Sequence, residues 1–246
     1  MGENHKLQGK AAIVFGGSRG IGAAIVRRLA EDGADVALTY ASAAEKAAEV
    51  ARAVEAAGRQ ALAVNADSAD AGAIQDAVAR AMDRFGRLDI VVVNAGILRL
   101  GPVEAVSLDD LGRMLDVNVR GVFVAIQAAA ARLADGGRII TIGSNTAVRT
   151  GFPGSSVYAM TKAAVASMVS GIALDLAPRA ITVNNIQPGP TETDMTAAHL
   201  DRIRTMVPLG RVAQPREIAG LVAYLASEEA GYMTGASLTI DGGYVL

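Results

Sequence analysis

Cysteine is absent from this 246-residue chain, and histidine occurs only twice. Without a thiol, neither a disulfide framework nor a thiolate metal site is possible. His5 lies near the terminus and His199 in a polar segment, so both read as solvated side chains. Alcohol oxidation assisted by a metal on cysteine and histidine ligands is thereby disfavoured, and no metal site is expected. Net charge is also small, 23 basic against 25 acidic residues leaving −2. That balance argues against a polyanion-binding protein, so no nucleic-acid partner is expected, and it gives no support to a membrane-surface role. No N-terminal apolar run resembles a signal peptide, and no apolar stretch reaches the roughly 20 residues of a membrane span. These absences point to a soluble, cytoplasmic protein.

What the chain does have is apolar bulk. Hydrophobic residues make up 51% of it, enough to bury a sizeable core in one large domain or two small ones. Short β-branched runs alternate with helical patterns from end to end. Strands are predicted at Ala11–Phe15, Asp35–Tyr40, Gln60–Asn65, Ile90–Val93, Arg138–Ile142, Thr182–Ile186 and Ser237–Ile240. Most are continuously apolar, as strands of a parallel sheet buried on both faces must be. Helices are predicted at Gly20–Asp32, Ala43–Ala57, Ala71–Phe85, Leu108–Ala134, Tyr158–Ala177 and Pro215–Ala226. The alternation predicts an α/β fold of the Rossmann type, a doubly wound seven-stranded parallel sheet with helices on both faces. With no linker, low-complexity tract or repeat, one domain is expected to cover residues 1–246.

Two of these helices are unusual. Ala163 to Leu174 carries no charged residue, and Val122 to Ala131 is similarly uncharged. A helix apolar all round is buried in a core or against another subunit, so a homo-oligomer, tetramer or dimer, is expected. Alanine-rich faces that tolerate exposure are the alternative.

Tyr158 and Lys162 are four residues apart on a predicted helix, with Ser144 fourteen residues upstream at a strand end. That spacing puts phenol and ammonium on one helical face, about 5–6 Å apart at Cβ. A positive charge near a phenol favours the phenolate, so the Tyr158 pKa is expected to fall from its ordinary value of about 10. A serine hydroxyl from a neighbouring strand would hold a carbonyl oxygen beside that phenol. Such parts suit proton transfer to an alkoxide while hydride arrives from elsewhere.

The hydride source is suggested by the strand ends, where ligands of open parallel sheets bind. After the first strand comes GGSRGIG, with Gly16, Gly20 and Gly22 running into a helix through Ser18, Arg19 and Ile21. Glycines there let the backbone approach a diphosphate, and the helix N-terminus offers it free N–H groups. The second strand ends in Tyr40-Ala41-Ser42, without the carboxylate that marks a free ribose 2′-hydroxyl. Arg19 and Ser42 can instead meet a 2′-phosphate, which favours NADP(H) over NAD(H). A solvated loop charge is the alternative for Arg19. The third strand runs into Asp67-Ser68, whose carboxylate suits an adenine amino group or a helix cap. The fourth ends in Asn94-Ala95-Gly96, small enough for a flat ring or ribose to cross, or simply a turn. The sixth continues into Pro188 and Gly189, a stiff wall for a nicotinamide, with Thr191 and Thr193 for its carboxamide or a phosphate. Asn118, mid-helix, either disturbs its helix to bind a water or faces solvent.

Together these residues resemble the short-chain dehydrogenase/reductase family, from about Lys10 to the end of the chain. The likeness is carried by GGSRGIG, the NAG turn, Ser144 with YAMTK at 158–162, PGPTETDM and the terminal TGASLTIDGG. The resemblance implies a catalytic tetrad of Asn118, Ser144, Tyr158 and Lys162. It also implies that Lys162 binds the nicotinamide ribose and that Asn118 holds a water linking Lys162 to solvent. Within the family the chain is similar to 3-oxoacyl-carrier-protein reductases, to general carbonyl reductases, and to a small subgroup associated with cyclic di-GMP binding and biofilm dispersal. Two positions depart from the family pattern. Phe15 stands where threonine commonly precedes the first glycine, removing a hydroxyl that ties the glycine loop to the sheet. Val93 replaces the first asparagine of NNAG, removing a contact that stabilises the neighbouring strands.

The expected reaction is NADPH-dependent reduction of a ketone, a carbonyl or 3-oxoacyl compound, to a secondary alcohol, with Tyr158 as general acid. Residues 190–213 are expected to form a lid over the cofactor. Its Met195, Leu200, Ile203, Met206, Val207 and Leu209 suit a hydrophobic ketone or acyl chain, or the ordinary packing of a short amphipathic helix. An acidic carrier protein would need a basic rim, for which Arg132, Arg138, Arg149 and Arg179 are available if they converge. The second reading is a regulator on the same fold that binds a cyclic dinucleotide or senses cofactor redox state. The full tetrad weighs against it.

Overall fold

The computed structural model describes residues 6–197 and 200–246, so the readings of His5 and His199 lie outside the described residues. Seven parallel strands are ordered β3-β2-β1-β4-β5-β6-β7. They are β1 Ala11–Phe15, β2 Asp35–Tyr40, β3 Ala61–Asn65, β4 Ile90–Val93, β5 Arg138–Ile142, β6 Thr182–Pro188 and β7 Ser237–Ile240. Parallel pairing needs a crossover after every strand, and the helices between them provide it. β1, β4 and β6 are buried along their whole length. β1 and β4 read as unbroken apolar runs for that reason, whereas β6 buries Asn184, Asn185 and Gln187 on hydrogen-bond partners.

Helices α1 (Gly20–Glu31), α2 (Ala44–Ala56) and α8 (Pro215–Ala226) share one core with a face of the sheet. On the other face lie α3 (Ala71–Phe85), α5 (Gly121–Ala130) and α6 (Ser156–Leu176). The winding direction reverses between β1 and β4. A cleft therefore opens there, beyond the carboxyl ends of the strands.

Element boundaries agree with the sequence reading to within a residue or two, with one substantive exception. The predicted helix Leu108–Ala134 is three pieces. α4 covers Leu108–Leu115, a π-helical turn covers Asp116–Arg120, and α5 follows from Gly121. In the wide turn the Gly121 N–H reaches back five residues to the Asp116 carbonyl. The cause is Asn118, whose fully buried side chain is drawn out of the helical register to the backbone of Ile97. Such single-turn bulges are rare and concentrate at functional sites.

Segment 190–213 leaves the sheet after β6 and carries the short α7, Leu200–Arg204. Its two ends are stitched together, Ala213 N–H donating to the Pro190 carbonyl at 2.9 Å and Glu192 N–H to that of Ala213 at 2.8 Å. One helix qualifies by length and composition as a membrane span, Ser156–Arg179, with mean hydropathy 1.4. This corrects the expectation that no stretch is long and apolar enough. Its uncharged length reflects a different constraint, because α6 packs along β6 and carries the buried Lys162. Its remaining apolar surface, Met160 and Leu174 among it, is exposed, as is Phe123 on α5.

Candidate active site

Each strand end contributes backbone or side chain to the cleft, and the glycine loop forms its floor. Gly16 has φ +74°, a conformation that favours glycine. A methyl group on Gly22 would lie 2.1 Å from the Gly16 carbonyl oxygen, so helix and loop meet only without one. The hydroxyl missing at position 15 is replaced from a neighbouring strand. Gly16 N–H donates to Thr39 Oγ1 at 3.0 Å, Gly17 N–H to the Thr39 carbonyl at 2.9 Å, and Asn94 Nδ2 to the Gly16 carbonyl at 2.8 Å. Phe15, freed of that task, is buried in the core beside Ile13 and Val93. The loop is thus tied on two sides despite both departures from the family pattern. Thr39 escaped the sequence reading, although a threonine directly after the apolar run Val36–Leu38 marks it.

Ser144 sits at the end of β5 and is buried. Its Oγ accepts from Thr146 N–H at 3.2 Å and from Thr146 Oγ1 at 2.9 Å. Two accepted bonds leave its own proton to give. Beside it, α6 presents Tyr158 and Lys162. The Lys162 ammonium is buried, donates to the Ile142 carbonyl at 3.0 Å and stands 5.7 Å from the Tyr158 ring centroid. A methyl on Gly96 would come within 3.3 Å of it and within 3.4 Å of Asn118 Oδ1, so the NAG turn closes the same space. The fifth strand, the fourth-strand turn, the π-helical turn and α6 therefore converge on one spot.

The electrostatics correct one expectation. Burial pushes the Tyr158 phenol above its usual range, and the Ser144 hydroxyl beside it opposes the rise only in part. Burial of the phenol decides its shift despite the ammonium 5.7 Å from its ring centroid, and burial likewise brings Lys162 down to about 8. Desolvation disfavours the charged form of both groups. Near neutral pH the phenol is therefore protonated and Lys162 is still largely charged.

Asn118 is committed more fully than the sequence suggests. Its Oδ1 accepts from Ile97 N–H at 2.9 Å, and its Nδ2 donates to the Ile97 carbonyl at 2.9 Å and to Thr161 Oγ1 at 3.2 Å. The side chain pins the loop after β4 rather than facing solvent, so any water at Asn118 must be held by its main chain.

Asp67 does not cap a helix and remains partly exposed. Its carboxylate accepts from Ala69 N–H at 2.9 Å and from Arg113 Nη2 at 2.7 Å, while Asp70 caps α3 instead. Burial opposes ionisation of Asp67, but the Ala69 N–H and Arg113 outweigh it and hold the carboxyl below its usual range. Ser68 follows it, its carbonyl 2.0 Å from where a Cβ on Gly121 would stand.

Tyr40 is half-buried and Ala41 and Ser42 are exposed just after β2, while in the glycine loop Ser18 is buried and Arg19 exposed. Across the cleft, Pro188 is the last residue of β6, paired with Ile240, rather than part of a turn. Gly189 N–H donates to the Ile240 carbonyl at 2.9 Å, and Thr191 Oγ1 donates to the Gly189 carbonyl at 3.0 Å. The Thr193 methyl lies over Gly20, 3.2 Å from where a Cβ would stand.

Three of the four arginines considered as a basic rim are engaged elsewhere. Arg138 and Arg179 lie at the opposite end of the sheet, bound respectively to the carbonyl of Gly136 and to Asp135 and the carbonyl of Leu133. Arg149 instead holds the Leu246 carbonyl at 2.9 Å.

Known proteins share this sequence and this arrangement. Residues 16–245 match the family model described as enoyl-(acyl carrier protein) reductase. A short-chain dehydrogenase/reductase from Serratia marcescens is 57% identical, with a TM-score of 0.96 over 98% of this chain and 100% of that one. A short-chain dehydrogenase from Burkholderia cenocepacia, solved in complex with NADP, is 50% identical with a TM-score of 0.96, over 98% of this chain and 100% of that one. The cyclic-di-GMP-binding biofilm dispersal mediator protein of Escherichia coli K12 is 42% identical over 239 residues, 96% of this chain and 97% of that protein.

Proposed function

The chain belongs to the short-chain dehydrogenase/reductase family of NADP-dependent oxidoreductases, and from that premise we propose that it reduces a ketone to a secondary alcohol. The observation that carries this reading is the convergence of Ser144, Tyr158 and Lys162, with the phenol held protonated beside a serine proton free to donate. The cleft fits NADP(H): a floor that only glycine allows, a side-chain-free turn at Gly96 against Lys162, and Arg19 with Ser42 where a 2′-phosphate would lie. When bound, the dihydronicotinamide supplies the hydride.

The protein's own residues do the rest. Ser144 donates its hydrogen to the carbonyl oxygen and fixes the ketone's orientation. Tyr158 gives its phenolic proton to that oxygen as negative charge develops, which suits a phenol whose pKa is raised. Lys162 keeps a positive charge beside the phenolate so formed and binds the ribose hydroxyls. Asn118 positions the loop at Ile97, and its main-chain carbonyl, exposed by the wide turn, holds the water that returns a proton to Lys162. Residues 190–213 act as the lid, and Pro188, Gly189, Thr191 and Thr193 form the nicotinamide wall. With no convergent basic rim, the substrate is a free, largely apolar ketone rather than a carrier-bound one. The exposed uncharged faces of α5 and α6 pair subunits into a dimer or tetramer of a soluble, cytoplasmic enzyme.

A screen of NADPH oxidation over ketones, ketoesters and acyl thioesters tests this reading, with calorimetry on cyclic di-GMP beside it. Turnover of a free ketone is the expected result. Tight dinucleotide binding without turnover on any carbonyl would instead establish the regulatory reading, which the 42% identity to the cyclic-di-GMP-binding mediator keeps in view.

A further inference from the structure

The lid carries a carboxylate that sits between two cations on the adenosine side of the cleft. Asp194 Oδ2 lies 3.2 Å from Lys46 Nζ and 3.6 Å from Arg19 Nη1. The two cations come from different elements, Arg19 from the glycine loop that caps α1 and Lys46 from the first turn of α2. Lys46 has an acid three residues on in its own helix, Glu49, yet its ion pair is with the lid, 148 residues away. Both cations line one cavity of about 320 Å³ with Ser18 and Gly20, into which Arg27 and Glu49 also face. Among the described residues neither Arg27 nor Glu49 has an ion-pair partner, so the cavity keeps a net positive character even with Asp194 bound. Lys46, and after it Arg19, hold the Asp194 carboxyl below its usual range, as expected for an anion in a cationic site.

We propose that Lys46 joins Arg19 in binding the cofactor's 2′-phosphate and that Asp194 is that phosphate's internal competitor, so that this trio sets the preference for NADPH over NADH. The reasoning is charge and position together. Arg19 shares its cavity with Lys46, which lies four residues beyond Ser42 where the chain leaves β2, and the sequence there, Tyr40-Ala41-Ser42, has no acid to select a ribose hydroxyl. A dianionic phosphate entering there takes both cations from a monoanionic carboxylate and then repels it. NADH brings no phosphate, leaves the Asp194 pair intact and gains nothing from Lys46. Cofactor choice and lid position are thereby linked through a single carboxylate. The inference rests on the NADP(H) reading of the cleft, and it concerns binding rather than turnover.

Fluorescence titration of NADPH and NADH against the wild type, D194N and K46Q separates the possibilities. Asp194 and Lys46 are exposed, so both variants keep the fold. D194N should bind NADPH roughly three- to tenfold more tightly, the scale of two exposed ion pairs, and bind NADH unchanged. K46Q should bind NADPH several-fold more weakly with little change for NADH, and adding it to D194N should shrink the gain. Weaker NADPH binding by D194N, or equal shifts for both cofactors, would overturn the proposal. If neither cofactor bound the wild type, the NADP(H) reading itself would fail. Discriminating binding without turnover would leave this inference standing and reject the ketone reductase.

Discussion

The floor of the cleft and its lid are held by different means. The floor is built from buried side chains and backbone: Thr39 and Asn94 on the glycine loop, Asn118 on Ile97, Lys162 on the Ile142 carbonyl. These contacts are buried or partly buried, so a polar group left without its partner there pays a desolvation penalty. The lid is held at its rim by solvated charges. Asp194 meets Arg19 and Lys46, and Arg211 forks onto Glu217 at 2.7 and 2.8 Å, drawing that exposed carboxyl down to about 2. Exposed pairs contribute little to stability. A rigid floor preorganises the reacting groups, whereas a lightly held cover can exchange one anion for another.

The largest effect should come from the floor. Tyr158→Phe removes the phenolic proton that is transferred to the carbonyl oxygen, and kcat should fall by about 10²–10⁴-fold. NADPH binding, measured by titration, should survive, because the ring and Lys162 remain. Near-normal turnover in this variant would falsify the assignment of Tyr158. The lid's Asp194→Asn exchange is the counterpart, with a several-fold change confined to one cofactor.

The second effect concerns stability. Lys162 has a folded pKa of about 8 against 10.5 for the free side chain, through burial alone. Between those values the unfolded chain holds a proton that the folded one has released, so this group makes stability rise with pH across that window. Below about 8 both states are charged, and the full burial penalty, about 3 kcal/mol, opposes folding. Lys162→Met should therefore lose activity yet unfold at higher denaturant than the wild type at pH 7. That advantage should shrink as pH approaches 10.5. A variant that is less stable at every pH would show that the bond to Ile142 outweighs the buried charge.

Much of this was legible in the residues, and for a physical reason. Buried parallel strands are mostly apolar, and ligand loops sit at their carboxyl ends, so the doubly wound parallel sheet and its cleft followed from pattern. YAMTK announced its own geometry, because a spacing of four fixes two side chains on one helical face. Long-range ties left no such mark. Nothing near Asn118 in sequence reveals that its amide is spent on Ile97, and Leu108–Ala134 reads as one helix because a π-helical turn keeps helical residues. The Lys46–Asp194 pair spans 148 residues and no periodicity reports it. The Tyr158 shift was misread for a related reason: spacing gives proximity, but burial decides which charge state survives.

Thr39 gives the smallest effect in the floor and the closest test of its contrast with the lid. Val is nearly isosteric, so Thr39→Val keeps the packing of a residue only 1% exposed and removes just the acceptor for Gly16 N–H. An unpartnered buried donor costs about 1–3 kcal/mol. The Gly17 bond to the Thr39 carbonyl and the Asn94 bond to Gly16 persist, so the loss should fall at the lower end. Chemical denaturation should show it directly. NADPH and NADH should both bind a few-fold more weakly, because the diphosphate loop serves the two alike. That is the mark of a floor residue, as opposed to Asp194, whose exchange should separate the two cofactors at no cost in stability. Should Thr39→Val discriminate between them, loop and phosphate recognition would be coupled, and the division between floor and lid would not hold.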